Sequence, residues 1–318
     1  MRIARRSPAR RRTALAVVTA VAAVVCAAPA AVAGDAGGDE GRTVALPGGR
    51  VVHLECRGTG SPTVVLVSGT GGAADEWTHV AAPGAPGAPA GTLKLKPSAS
   101  AVLPRVAAHT RVCAYDRPGT TRTDDTPTTS TPVPQPTSAR DGADDLGAVL
   151  AAAGEKGPYV LVGASWGAMI TGLYARTHPA EVAGLVTVDG ASPHLRDTLT
   201  TEQWSDWTRA VRAMARGEGK EKGREVPDYT ASVAEFRAAP PLGAPVPAVV
   251  LTSDHPWDLK VGTTGSTWPA WLAAQRRLAD ELHARHVTRT DSGHGIAVEQ
   301  PRLVSDAIRE VVDQGRNS

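Results

Sequence analysis

The stretch Tyr159-Val160-Leu161-Val162-Gly163-Ala164-Ser165-Trp166-Gly167-Ala168-Met169-Ile170 organises the chain. A short apolar run, the pattern of a buried strand, stops at Gly-x-Ser-x-Gly and gives way at once to helix-forming residues. A turn that passes directly from a buried strand into a helix forces its central residue into strained, positive-φ geometry crowded by backbone. Gly163 and Gly167 remove the side chains that would clash there. The turn lifts the Ser165 hydroxyl clear of the sheet and aims the first free N–H groups of the helix at whatever approaches it, a setting suited to an oxyanion. The pentapeptide alone also fits a Gly-rich turn with a capping serine, so the flanking sequence has to decide between the two.

The first 33 residues hold six arginines and no acid, then a nearly unbroken small apolar run over 14–28, then Ala31-Val32-Ala33. That order is a secretory signal peptide cleaved near Ala33, and it predicts a secreted mature chain of residues 34–318. The apolar run is too short and too alanine-rich for a stable membrane anchor. Arg11-Arg12 leaves a twin-arginine export route open. Cleavage leaves 28 Lys and Arg against 32 Asp and Glu, which removes the electrostatic basis for a nucleic-acid partner. The mature length suits one large α/β domain or two small ones, and no internal repeat is present. Cys56 and Cys113 are the two cysteines left after cleavage; an even count in an exported chain favours a disulfide.

Residues 43–46 and 50–56 read as a hairpin across Pro47-Gly48-Gly49. Residues 62–67 form a continuous apolar run of the buried parallel kind, ending at Ser68-Gly69-Thr70-Gly71-Gly72. Gly69, Gly71 and Ala74 also fit a dinucleotide-binding spacing, but no acid stands about 20 residues on, where a ribose hydroxyl would need one. The loop is instead read as bringing a second backbone N–H, that of Thr70, toward Ser165. Further strands are expected over 111–115, 182–188, 247–252 and 286–290, and helices over 141–153, 268–284 and 301–312. Residues 81–98 and 126–138 read as irregular loops. From about 195 to 245, Trp204, Trp207, Val211 and Met214 fall at helical spacing and Phe236 sits in a second helical stretch. Between two core strands this insertion reads as a lid over the pocket, with simple packing on the core as the alternative.

Alternating strands and helices imply a mostly parallel central sheet flanked by helices, with the site at the carboxyl ends of the strands. Ser165, Asp189, Asp254 and His294 each follow an expected strand by a few residues, in the order Ser, Asp, His of a nucleophile-elbow fold. The residue types suit one chemistry. A serine hydroxyl is a poor nucleophile until a neutral imidazole takes its proton, and a carboxylate must hold the ring's other N–H. No metal or organic cofactor is called for, and His283-x-x-His286 is read as helix surface. An aspartate nucleophile is excluded by the serine at position 165.

On these residues the chain resembles α/β-hydrolase-fold enzymes over nearly its whole mature length. The matching pieces are the elbow, the strand and loop over 64–72, residues 111–119 with their Tyr-Asp-Arg-Pro-Gly, and the Ser-Gly-His294-Gly turn. More narrowly, it is similar to exported actinobacterial α/β hydrolases that pair a Cys-x-Gly strand with a Val-Cys-Ala-Tyr-Asp-Arg strand. The resemblance implies neighbouring strands that bring Cys56 and Cys113 side by side, and oxyanion donors at the amides of Trp166 and Thr70. It also implies a small-molecule ester substrate cleaved through an acyl-enzyme, as in carboxylesterases and lipases. Most of the fold carries its acid where Asp254 stands, with Asp258 nearby. Some relatives carry it at the position of Asp189, which is favoured over the alternate Asp254. Ser68 stands where many relatives have His, and Gly119-Thr120-Thr121-Arg122-Thr123 replaces the usual Gly-x-Gly-x-Ser. Two other readings stay open. One is a proline-iminopeptidase-like enzyme, which would need lid carboxylates such as Glu202, Asp206 or Glu235; the other is a non-catalytic binding protein on the same fold. The natural substrate and oligomeric state are not legible.

Overall fold

The computed structural model describes residues 41–82, 93–216, 224–257 and 265–317, without the side chains of 214–216. The signal segment, Asp258 and the Met214 side chain lie outside the described residues. The strands are β1 (Arg42–Ala45), β2 (Val51–Arg57), β3 (Thr63–Val67), β4 (His79–Ala81), β5 (Leu95–Pro97), β6 (Val112–Tyr115), β7 (Tyr159–Ala164), β8 (Val182–Val188), β9 (Ala248–Leu251) and β10 (Arg285–Val287). Eight of them form one sheet in the order β1-β2-β6-β3-β7-β8-β9-β10, and β4 pairs with β5 apart from it. From β6 through β10 the pairings are parallel, while β1 and β2 add an antiparallel edge.

The helices are α1 (Val102–Ala107), α2 (Ala139–Ala153), α3 (Trp166–Thr177), α4 (Leu195–Thr198), α5 (Thr201–Arg216), α6 (Tyr229–Ala238), α7 (Trp268–Glu281), α8 (Ile296–Glu299) and α9 (Pro301–Gly315). Strand side chains alternate between the two faces of the sheet. Val64, Leu66, Val160, Val162 and Val186 pack with Leu103 of α1 and Ile308 of α9. Val65, Leu161 and Leu185 pack with Leu146 of α2, Met169 of α3 and Leu278 of α7. Burial on both sides explains why these strands read as unbroken apolar runs rather than alternating ones.

Cys56 on β2 and Cys113 on β6 are register partners and are joined in a disulfide, Cα atoms 4.1 Å apart. Helix α2 starts two residues before its expected start, because Ser138 accepts the Asp141 N–H and Asp141 accepts the Ser138 N–H, a capping box one turn upstream of the apolar pattern. Helix α7 ends at Glu281, so the His283–His286 pair is not on a helix surface. His283 takes a left-handed turn conformation (φ 48°), and His286 lies on β10 with Nε2 2.8 Å from Thr252 Oγ1. The spacing of Trp204, Trp207 and Val211 does mark a helix, and all three are buried. Trp207 meets Tyr229 edge-on, and Tyr229 meets Trp166 at the start of α3 in the same way.

The strand order turns at β3 and β7: β6 lies on one side of β3, and β7, β8, β9 and β10 follow on the other. In an open α/β sheet the crevice for a ligand opens at such a switch point, beyond the carboxyl ends of the strands. The loop 68–72 and Ser165 leave these two strands there.

Candidate active site

Ser165 has φ 48° and ψ −119°, the strained conformation expected between strand and helix. A Cβ on Gly163 would stand 2.5 Å from the Ala168 Cα, and one on Gly167 would stand 2.2 Å from the Val67 carbonyl oxygen. The elbow therefore closes only with glycine at both places, and α3 runs directly against the end of β3.

Ser165 Oγ lies 2.9 Å from His294 Nε2, and His294 Nδ1 lies 2.7 Å from Asp189 Oδ2. Asp189 follows β8 with a left-handed φ of 41° and is 0 % exposed. A dry carboxylate is tolerated only when its oxygens are occupied by donors. Here Oδ1 accepts the Ser253 N–H and the Trp271 indole N–H, both at 3.0 Å, and Oδ2 accepts the Trp257 indole N–H at 2.9 Å. The Trp257 ring also lies across the imidazole, centroids 3.9 Å apart. Neither indole was singled out in the sequence. The usable signal was that Trp257 closely follows β9 and Trp271 opens the next helix, both near the carboxyl edge of the sheet.

Asp254 faces a different group. It accepts N–H bonds from Thr290 and Ser292 and a hydroxyl bond from Thr290, at 3.1–3.2 Å, and so ties β9 to the turn that carries His294. Burial works to raise its pKa, but the bonds from Ser292, Asp291 and Thr290 hold it below the ordinary aspartate value.

Trp166 is the first residue of α3, where backbone N–H groups have no acceptor within the helix. The loop carrying Thr70 passes close to the serine: a Cβ on Gly69 would lie 3.1 Å from Ser165 Cβ. Glu76, beyond that loop, has its carboxyl pKa pushed up by burial, opposed by the Arg117 charge and aided by Asp75. A cavity of about 440 Å³ opens beside Trp166, bounded by Arg50, Arg117, Asp145, Ile170 and Glu225; Ser165 and His294 do not line it. Of the lid carboxylates, Asp206 pairs with Arg209, Glu235 accepts the Arg140 N–H, and Glu202 is exposed. Cys56, Cys113 and Glu155 lie close together, but the two sulfurs are bonded to each other and offer no thiolate for a metal.

A family model described as alpha/beta hydrolase fold matches residues 62–218. The chain has the α/β-hydrolase fold. Solved structures similar to it include a thermophilic esterase from Thermogutta terrifontis, 19 % identical with a TM-score of 0.52, covering 87 % of this chain and 99 % of that one. Another is an N-acyl homoserine lactone degrading enzyme, 20 % identical with a TM-score of 0.53, covering 85 % of this chain and all of that one. A third is a variant that cleaves the ring of the Pseudomonas quinolone signal, 14 % identical with a TM-score of 0.53, covering 88 % of this chain and all of that one. A curated relative, an uncharacterised protein of Schizosaccharomyces pombe, is 33 % identical over 147 residues, 44 % of this chain. The match spans only about a quarter of that relative's length, 26 %. At these identities the solved structures speak to the α/β-hydrolase fold, which hosts ester, lactone and ring-cleaving chemistry alike; function has to come from the site.

Proposed function

We propose that the protein is a serine hydrolase that cleaves carboxylic esters through an acyl-enzyme. The observation that carries the reading is the unbroken hydrogen-bonded series Ser165, His294, Asp189, with the carboxylate end fully buried.

In this reading Ser165 Oγ attacks the ester carbonyl carbon as its proton passes to His294 Nε2. The carbonyl oxygen becomes an oxyanion and takes N–H bonds from Trp166 and Thr70. The tetrahedral intermediate collapses, the C–O bond to the alcohol breaks, and His294 returns the proton to the departing alkoxide. Water then gives a proton to His294 as its oxygen adds to the acyl carbon; the bond from that carbon to Ser165 Oγ breaks, His294 returns the proton to Oγ, and the acid leaves. Asp189 orients the imidazole and offsets its charge when it is protonated; it does not take the proton.

Ester cleavage is favoured over the aminopeptidase reading because, among the described residues, the carboxylates that reading nominates are engaged or face solvent: Asp206 pairs with Arg209, Glu235 accepts the Arg140 N–H, and Glu202 is exposed. The signal-like segment together with the disulfide supports work outside the cell. Among the described residues no helix is long and apolar enough to cross a membrane. The insertion over 195–245 serves as a lid in this account, reaching the site through Tyr229 against Trp166.

The test is hydrolysis of a chromogenic ester series, from acetyl to long acyl, by the mature protein beside its Ser165→Ala variant. Turnover lost in Ser165→Ala supports the reading, and its chain-length profile sizes the acyl site. Equal turnover in both proteins would contradict it.

A further inference from the structure

We infer that Glu225, carried by the insertion between β8 and β9, is a positioning residue for the loop 68–72: through Arg117 it aims the Thr70 N–H at the reacting oxygen. The inference rests on the serine-hydrolase reading above and assigns the insertion a part in the chemistry beyond covering the site.

Arg117 and Glu225 are each 3 % exposed and form a two-pronged ion pair, Nε to Oε1 at 2.6 Å and a terminal nitrogen to Oε2 at 2.9 Å. Both charges also bond the loop. The guanidinium donates to the carbonyls of Ser68 at 2.9 Å and Gly69 at 2.7 Å, while Glu225 Oε2 accepts the Gly71 N–H at 2.7 Å. The orientation of Thr70 follows from peptide geometry. The Gly69–Thr70 peptide is trans, so its C=O and N–H point in opposite directions. With the Gly69 carbonyl held on Arg117, the Thr70 N–H is turned to the other side of the loop. Because Gly71 spends its N–H on Glu225, it is not a competing donor. The Thr121 N–H bonds the Gly71 carbonyl and adds a further tie to the loop. The insertion thus contributes the carboxylate, that of Glu225, which holds this turn of five residues both through Arg117 and at the Gly71 N–H.

A buried ion pair adds little net stability over a well-packed apolar pair of the same volume. What this one supplies is direction. Arg117 has five donors in a fixed plane; with Nε and one terminal N–H held by Glu225, the plane is set so that the terminal nitrogens also reach the Ser68 and Gly69 carbonyls. Without Glu225 the guanidinium can turn, and the Gly69–Thr70 peptide loses its anchor.

The experiment compares the wild type with Glu225→Gln and with Arg117→Met/Glu225→Gln, the double variant removing both members of the pair. Steady-state ester hydrolysis, normalised to active sites titrated with a fluorophosphonate, is measured beside the rate at which the same reagent labels Ser165. Removing one oxyanion donor costs about 10²–10³ in kcat, so misaiming it is expected to lower kcat at least about tenfold with KM within about threefold. Fluorophosphonate labelling, which builds charge on the same oxygen, slows in parallel. A merely structural role would lower the melting temperature and the titratable fraction while leaving kcat per active site unchanged. That result overturns the inference. If the double variant lacks a cooperative thermal transition, the isosteric Glu225→Gln protein decides by the same readouts. Ser165→Ala separates the two levels: turnover surviving in it contradicts the serine-hydrolase reading and this inference with it. Ser165-dependent turnover with an unaltered kcat in the Glu225 variants overturns the inference alone.

Discussion

Trp257 lies across His294 with ring centroids 3.9 Å apart and planes inclined by 36°, and its indole N–H bonds Asp189 Oδ2 at 2.9 Å. One side chain therefore touches both the imidazole and the carboxylate bonded to it. Trp271 meets the imidazole edge-on and donates to the other carboxylate oxygen. The two indoles wall off the Asp189 end of the site with apolar rings while satisfying the charge with N–H groups, a combination that only tryptophan among the aromatic residues supplies without also bringing an acceptor.

In this account the acid role falls to Asp189, bonded to His294, and not to Asp254, bonded to the Thr290–Ser292 turn. Asp189→Asn keeps the shape but places an amide against the imidazole, and kcat is expected to fall about 10³–10⁴-fold, as removal of the orienting carboxylate from such a site does. Asp254→Asn weakens only the ties from β9 to the turn bearing His294 and is expected to stay within about tenfold. Steady-state kinetics of the two variants decides the matter, and the reverse ranking would move the role to Asp254.

Trp257→Phe keeps a ring over His294 and removes the N–H to Asp189. A hydrogen bond to a charged group contributes about 1.5–3 kcal/mol, so kcat is expected to drop roughly ten- to hundredfold with KM little changed. A Trp257→Phe enzyme with wild-type kcat would show that Ser253 and Trp271 suffice to hold the carboxylate.

Much of this is legible in the sequence alone. Strands β3, β6, β7 and β8 announce themselves because burial on both faces writes an unbroken apolar run, and Gly163-x-Ser165-x-Gly167 announces the elbow because backbone contacts at 2.2–2.5 Å tolerate nothing larger than glycine. The juxtaposition of Ser165 and His294 follows from the strand order. The partner of His294 was harder, since Asp189 and Asp254 both leave neighbouring parallel strands and differ only in which way each side chain turns; the left-handed φ of Asp189 is set by tertiary packing. The Arg117–Glu225 pair, 108 positions apart, leaves no trace because long-range pairing has no local periodicity; the indole donors to Asp189 leave only their places, Trp257 after β9 and Trp271 in the first turn of α7. The capping box at Ser138 and Asp141 was in plain view, but the apolar pattern that marks α2 begins a turn later.

The disulfide between Cys56 and Cys113 closes a loop of 57 positions. On the chain-entropy model it contributes about 4 kcal/mol. Reduction is expected to add the mass of two hydrogens and to lower the melting temperature by several degrees. An unchanged mass after treatment of the unfolded protein with reductant would mean that the bond does not form.

Glu281 bonds His194 Nε2 at 2.6 Å and pairs with Arg176. The His194 bond, opposed by burial and helped by the Arg176 charge, holds the Glu281 pKa below the ordinary 4.5. A depressed carboxyl pKa stabilises the fold above the unfolded value, and that contribution is lost as pH falls through the folded one. Glu281→Gln is therefore expected to cost about 1 kcal/mol near neutral pH, with the gap closing as pH drops below 4.5. Thermal melts of both proteins from pH 7 downward check this; a gap that widens on acidification would reverse the assigned sign.

The most direct test of the central claim is intact-mass analysis of the enzyme quenched in acid within milliseconds of mixing with an activated acyl ester. A species heavier by one acyl group, mapped by peptide fragmentation to Ser165 and absent from Ser165→Ala, is the predicted result. Ester turnover with no acyl adduct, or an adduct that persists when Ser165 is replaced, would contradict the account.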